Sequence, residues 1–515
     1  MTAAIDSVII GGGHNGLVCA YYLAAAGQKI VVAEANDQLG GAAITREFAP
    51  GFRVSAGAHL LHMLPKFIVE EMELQKHGFS PMHQLLPCSV LAMDRPNLVI
   101  DGEVILGSRA SDCTQYQNFM TRMRRFAAHL QPVMQMTPPR LGTDAWADQS
   151  ALLRMAWQVR SLGRHDMREL LRIIGMNIYD LTADYLDSEY LRTAVAFDAV
   201  LGSNAGPRSP GTVLSFLARL AGQHRAMPIS MPPGGMGALS DALAAAARAK
   251  GAELRTGARV ARILVEDDRA VGVVLASGEE IRAKRVISNA DPRTTFLKLL
   301  GAAHLDTGFV RRVTHFRDRG LCAKLHLALS APVKLANSTR AAMQGRLLIA
   351  PNMDYIETAY NPTKYGECPQ RPAMEIIIPS YTDSTLAPAG QHVLSAIVQY
   401  VPYQPREGWE AAREGFIANC LDTIEIYTPG FKSSVIAAEL LTPEDIEKEF
   451  GISGGHWHHG ELSFDQFFLV RPVPGAAQYN APIAGLYLCG AGSHPGGGVM
   501  GIAGRNAARQ VLKAA

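Results

Sequence analysis

The stretch from Asp6 to Glu34 leaves a chain few folding options, because an apolar run, three spaced glycines, a helix-forming segment, a second apolar run and an acid follow in order. Val8, Ile9 and Ile10 suit a strand buried on both faces. Gly11, Gly13 and Gly16 spell Gly-x-Gly-x-x-Gly, and the segment to Ala26 is rich in alanine and leucine, hence helical. Gly27 closes that helix, where a residue with positive φ is wanted. Lys29 to Ala33 is a second β-rich run, and Glu34 lies 34 − 13 = 21 positions after Gly13. Each part has a physical task. Gly11 permits a tight turn, Gly13 lets the backbone approach a pyrophosphate, and Gly16 lets helix and strand pack closely. The helix N-terminus offers free N–H groups to phosphates, and Glu34 accepts from a ribose hydroxyl. A doubly wound α/β dinucleotide-binding domain is the expected fold.

The totals exclude several classes. A net charge of +2 over 515 residues gives no concentrated basic face for nucleic acid. The seven cysteines are scattered and contain no Cys-x-x-Cys, so a disulfide scaffold, a zinc ribbon and a redox dithiol are not expected, and a reducing compartment such as the cytoplasm fits. Ser7–Gln28 and Pro472–Gly504 carry no Asp, Glu, Lys or Arg. The first lacks a basic n-region and is broken by glycines; the second is rich in Gly and Pro, so neither reads as a membrane span.

Further along, Gly40-Gly41-Ala42-Ala43 forms a second glycine turn, and Pro50 to Pro65 carries His59 and His62. From about Lys66 to Met227 the pattern is mainly helical, with Phe119, Met120, Met123, Phe126, Ala127 and Leu130 at helical spacing and arginines between them. Leu152, Leu153, Met155, Ala156, Trp157 and Val159 extend that character. Two readings stand: helices packed on a core, or a hydrophobic face with a basic rim on a membrane surface or at the mouth of an apolar tunnel. An alanine-rich helix from Ala238 to Lys250 precedes β-rich runs at 252–256, 259–266, 270–276 and 280–287, read as a small antiparallel meander. Arg293 to Val473 is mixed, with β-rich pieces at 322–329, 373–379 and 393–400 and a helix near Trp409 to Tyr427. The chain closes with a buried strand, a glycine-dense loop and a helix.

The opening fingerprint, Gly40-Gly41, Gly234-Gly-Met-Gly237, Ile287-Ser-Asn-Ala-Asp-Pro292 and Gly490-Ala-Gly-Ser-His-Pro-Gly-Gly-Gly498 together resemble the bacterial phytoene desaturase and carotenoid isomerase flavoproteins. More narrowly, His14-Asn15-Gly16 and Gly40 to Ala43 are similar to the branch called pyridine nucleotide-disulfide oxidoreductase domain-containing protein 2. The likeness runs nearly end to end but is specific only in the cofactor segments.

That resemblance implies a glutathione-reductase-like FAD domain made from 1–65, 228–298 and 474–515, with an α+β substrate domain from 66–227 and 299–473. It implies one non-covalent FAD. Gly11, Gly13 and Gly16, with His14 and Asn15 in the same turn, would face the pyrophosphate, and Glu34 the ribose. Gly40, Gly41 and Ala42 would lie beside them, and the backbone of Val260 would meet the adenine. Gly490, Gly492, Gly498, Val499 and Met500 would line the ribityl chain and pyrimidine edge, where a helix N-terminus favours a reduced, negatively charged flavin. Ala42 stands where the family commonly has arginine. His59 and Lys324 are the candidate base or polar contacts. His456, His458 and His459 are read as site lining or hydrogen-bonded loop histidines, with no metal expected.

The activity implied is hydride transfer from a largely apolar, unsaturated substrate of polyene or isoprenoid type to flavin N5. A flavin-dependent isomerase, an amine-oxidase-like enzyme and a non-catalytic lipid-binding or partner protein are the alternatives. No second Gly-x-Gly-x-x-Gly opens a βαβ unit, so nicotinamide nucleotides are not expected as substrates. The expected partner is an apolar small molecule, with peripheral membrane contact left open and no oligomeric state indicated.

Overall fold

Seventeen strands are found among the described residues of the computed structural model, which are 5–82, 85–335 and 338–514. They run β1 (Ile5–Ile10), β2 (Ile30–Ala33), β3 (Thr45–Ala49), β4 (Phe52–Ser55), β5 (Cys88–Val90), β6 (Leu98–Asp101), β7 (Val104–Leu106), β8 (Glu253–Arg255) and β9 (Val260–Glu266). After these come β10 (Arg269–Leu275), β11 (Glu280–Ser288), β12 (Cys322–Leu329), β13 (Arg346–Ile349), β14 (Ala373–Ile377), β15 (His392–Gln399), β16 (Val435–Leu441) and β17 (Leu486–Leu488).

The first sheet has the order β8-β2-β1-β11-β10-β9, with β17 also on β11. Its central pairs β8/β2, β2/β1, β1/β11 and β11/β17 are parallel. Val8 and Ile9 are wholly buried, as a strand covered on both faces requires. Strand β11 does two jobs. Residues 280–282 pair antiparallel with β10, whereas 283–288 run parallel to β1. The run at 252–256 is not part of the meander: β8 pairs parallel with β2, because the helix Met236–Ala249 carries the chain across to that edge.

The second sheet runs β16-β12-β15-β14-β13-β5-β6-β7, antiparallel except for β13/β5. Three of its strands lie at 88–106, inside the stretch read as mainly helical; they are short, three or four residues each, and carry no long alternation to betray them. Strand β12 is buried along its whole length, Lys324 included.

The helix Ala110–Gln135 buries Phe119, Met120, Met123, Phe126 and Ala127, packing against the helix Thr212–Gln223. The next helix, Trp146–Ser161, behaves differently. Only Ala151 is buried, and Trp146, Leu153 and Trp157 are 74%, 64% and 73% exposed. Among the described residues no helix is long and apolar enough to cross a membrane.

Candidate active site

Gly11 turns the chain out of β1 with φ +91°, a conformation L side chains rarely adopt. The helix His14–Ala25 then starts at Gly13 with no side-chain cap, which leaves its first N–H groups aimed into a cleft. Gly16 does not face that cleft. A Cβ there would stand 2.3 Å from the Gly11 carbonyl, so it serves the close packing of helix on strand.

The cleft is a cavity of about 430 Å³ lined by Gly11, Gly13, His14, Asn15, Glu34, Gly40, Gly41, Ala42 and Val260, which the fold brings together from four separate segments. Glu34 Oε2 accepts from Gly12 N at 2.6 Å and Oε1 from Asn36 N at 2.9 Å, so its carboxylate is fixed with lone pairs to spare. Asn289, within the Ile-Ser-Asn-Ala-Asp-Pro motif, donates from Nδ2 to the Gly11 carbonyl at 3.4 Å and also lines the cleft.

A second cavity, of about 120 Å³, shares His14, Ala42 and Trp457 with the cleft and continues along His59, His62, His458, Gly498 and Val499. Met500 lines a third, of about 60 Å³. Gly490 and Gly492 are buried but line none of these cavities; a Cβ at either would strike Asn289 O or Pro292. Their place on the cleft wall is taken by Ala491.

His59 and Lys324 meet. Lys324 Nζ is 2.6 Å from His59 Nδ1 and donates to Ser395 Oγ at 2.9 Å. Lys324 is 0% exposed, although a lysine flanking a strand is ordinarily solvated. Burial brings its ammonium down from 10.5 to about 7. It stands behind His59 and does not touch the cavity, whereas His59 Nε2 is buried at the cavity wall with no hydrogen-bond partner among the described residues and lies 3.8 Å from Glu375 Oε1. Burial, and then Lys324, hold the His59 imidazole well below its ordinary range, so it is neutral.

The three clustered histidines do different things. His456 Nε2 is 3.1 Å from Glu461 Oε1, His458 lines the second and third cavities, and His459 lines the cofactor cleft. Among the described residues no group of three His, Cys, Asp or Glu is placed to hold a metal ion. The fully buried Arg471 fixes this loop. Its guanidinium donates to the carbonyls of His458 at 2.6 Å, Glu461 at 2.9 Å and Gln466 at 3.1 Å, and to Ala491 of the terminal glycine loop at 3.0 Å. No sequence signal marks Arg471, because a side chain spent on carbonyls needs no motif partner. Nor does a sequence signal mark Asp198, Arg219, Arg346 and Glu375, whose ion pairs join residues of separate elements.

The cleft fits FAD on its own geometry. It combines an uncapped helix N-terminus for phosphate, a fixed carboxylate for a ribose, and buried polar atoms without partners among the described residues, His14 Nε2 and Asn15 Oδ1. The terminal helix Ile502–Lys513 likewise starts at Gly501 without a side-chain cap.

The comparisons agree. The family model for flavin-containing amine oxidoreductases matches residues 16–512. Pyridine nucleotide-disulfide oxidoreductase domain-containing protein 2 of Rattus norvegicus is 36% identical over 99% of this chain and 93% of its own. The lycopene-forming phytoene desaturase of Pseudescherichia vulneris is 27% identical, with 96% of each chain covered. An oxidoreductase from Methanosarcina mazei shares the fold, with TM-score 0.61 at 19% identity, over 99% of this chain and 100% of that one. With 497 of 515 residues inside one family model (512 − 16 + 1), the chain belongs to the flavin-containing amine oxidoreductases and is an FAD-dependent enzyme.

Proposed function

We propose that the protein oxidises a substrate with a largely apolar, unsaturated body by removing a hydride from one activated C–H and a proton from the adjoining carbon, which leaves a double bond between them. The observation that carries this reading is His59, backed by the buried Lys324, at the wall of a cavity that shares His14, Ala42 and Trp457 with the cofactor cleft. When bound, FAD supplies the two-electron acceptor. It would be held by the glycine turn, Glu34 and the Gly498–Met500 loop of a glutathione-reductase-like domain.

The chain's own share is positioning and proton handling. His59 Nε2 is the atom that receives the substrate proton, being buried, neutral and free. As it does so, the proton on Nδ1 passes over 2.6 Å to the neutral amine of Lys324, which Ser395 holds in line. His59 is thus the catalytic base, and Lys324 acts through it. The relay needs Lys324 unprotonated, a condition met above about pH 7.

A larger chamber of about 390 Å³ adjoins at His62 and supports an apolar body; Leu86, Ile100, Met120, Phe216 and Met227 line it. The helix Trp146–Ser161 supports delivery from a lipid surface. Its exposed Trp146, Leu153 and Trp157 lie near Arg154, Arg160, Arg164 and Arg168, exposed cations whose side chains find no partner among the described residues.

The test is anaerobic mixing of the holoenzyme with unsaturated isoprenoids, each with and without deuterium at the allylic position. Bleaching of the flavin band, slowed by deuterium, is expected. A panel that leaves the flavin oxidised, while a primary amine bleaches it, would replace this substrate class by amines.

A further inference from the structure

The second and third cavities and the 390 Å³ chamber share His62, and an ionic cluster surrounds that junction. Arg346 is nearly fully buried and pairs with two carboxylates, Asp198 and Glu375. Its NH2 donates to Asp198 Oδ1 at 2.5 Å and its Nε to Glu375 Oε2 at 2.6 Å. Burial works to raise the Asp198 carboxyl, but Arg346 and then Arg219 bring it down to about 2, so it stays charged.

Arg219 is left under-used. Among the described residues its only ion pair is a 3.5 Å contact with Asp198 Oδ1, and its buried Nε has no partner. The side chain is 13% accessible and lines both the second and the third cavity. Neighbouring His62 offers it no charge. Burial, with Arg219 adding to it, pushes the imidazole down to about 3, and its Nδ1–H is spent on the Leu60 carbonyl at 3.3 Å. A guanidinium with five donors and one long contact, facing a cavity in a low-dielectric interior, is short of an acceptor.

We propose that the substrate carries a carboxylate and that Arg219 anchors it at the junction, with the unsaturated body running past His62 between the 390 Å³ chamber and the cavity walled by His59. The assignment rests on the reading that these cavities hold the substrate. It also distinguishes an acid from an amine. An ammonium would need a carboxylate to spare: Asp198 and Glu375 are paired with Arg346, and Glu461, on the wall of the third cavity, is engaged by His456 Nε2 at 3.1 Å and Asn204 N at 2.9 Å, whereas a carboxylate meets an arginine suited to bidentate pairing. A pure hydrocarbon would leave Arg219 buried and unanswered.

The experiment titrates the holoenzyme with two acid and ester pairs, geranic acid with methyl geranate and retinoic acid with methyl retinoate, read by shifts of the flavin band. We expect at least one acid to bind about tenfold or more tighter than its ester. In Arg219→Met that preference should vanish while ester affinity stays within about twofold of wild type, and Arg219→Lys should keep part of it. Equal affinity of acid and ester for wild type overturns the anchor while leaving the chamber reading intact, and so does a preference that survives in Arg219→Met. Wild-type protein that binds none of the four overturns the chamber reading and the anchor together. The wild-type comparison decides the matter even if Arg219→Met fails to fold.

Discussion

The glycine-lined cleft and the cavities beside it share His14, Ala42 and Trp457 on their walls but are made by opposite means. The cleft is largely backbone: Gly11 and Gly13 at a strand-to-helix turn, Gly40 and Gly41 facing them, and Val260 on the wall. The chambers are side chain. His59 and Lys324 meet across 265 positions of sequence, and the cluster at the junction draws on a helix at 189–200, another at 212–223 and strands β13 and β14. Backbone sites demand particular residues at fixed spacing. Side-chain sites demand only that something suitable arrive, so the first writes itself into the sequence and the second does not.

The contrast can be broken by mutation, most severely at the cleft. In Gly13→Val a Cβ would stand 2.8 Å from Asn289 Nδ2 and 3.9 Å from Gly41 Cα, filling the space a pyrophosphate needs. We expect protein without yellow colour, a loss of FAD affinity of about 100-fold or more. A yellow Gly13→Val protein would show that the turn is not the phosphate site. His59→Ala is the corresponding change in the chambers. It should keep FAD at wild-type occupancy and slow flavin reduction by organic substrate about 10²–10⁴-fold, the range for a lost general base. Flavin loss in that variant would instead make His59 a cofactor residue.

Smaller effects sharpen the same division. In the proposed relay Lys324 must be neutral to accept the proton from His59, and burial lowers its ammonium to about 7, so reduction should slow as pH falls through that value. Lys324→Met should flatten this profile and lower the rate about tenfold at pH 8. A step near pH 7 that persists in the methionine variant would assign it to another group. Glu34→Ala is expected to act least. Removing one fixed acceptor costs about 0.5–3 kcal/mol of FAD binding, with phosphate contacts untouched. Unchanged affinity by equilibrium dialysis would move the ribose away from Glu34.

Sequence legibility follows the same line. The first βαβ unit, the runs at 260–288, the strand at 322–329 and the helix Trp409–Tyr427 could be read because buried strands and long helices carry their periods. Strands β5, β6 and β7 could not, being too short for alternation, and β8 went astray because its pairing is decided by the helix before it. In the loop at 490–500 the glycine density was plain, yet only packing reveals that Gly490 and Gly492 support the wall while Ala491 forms it. For Lys324 the strand position was legible and the burial was not, since burial depends on β15 and β16 closing over both edges of β12.

The central claim is that electrons reach the cleft from an organic molecule in the chambers. The most direct test is anaerobic stopped-flow at the flavin absorbance band, with the holoenzyme mixed in parallel with excess NADPH and with unsaturated isoprenoid substrates. We expect negligible bleaching by NADPH and rapid bleaching by an isoprenoid. Bleaching within seconds by NADPH, with none by the organic substrates, would contradict it.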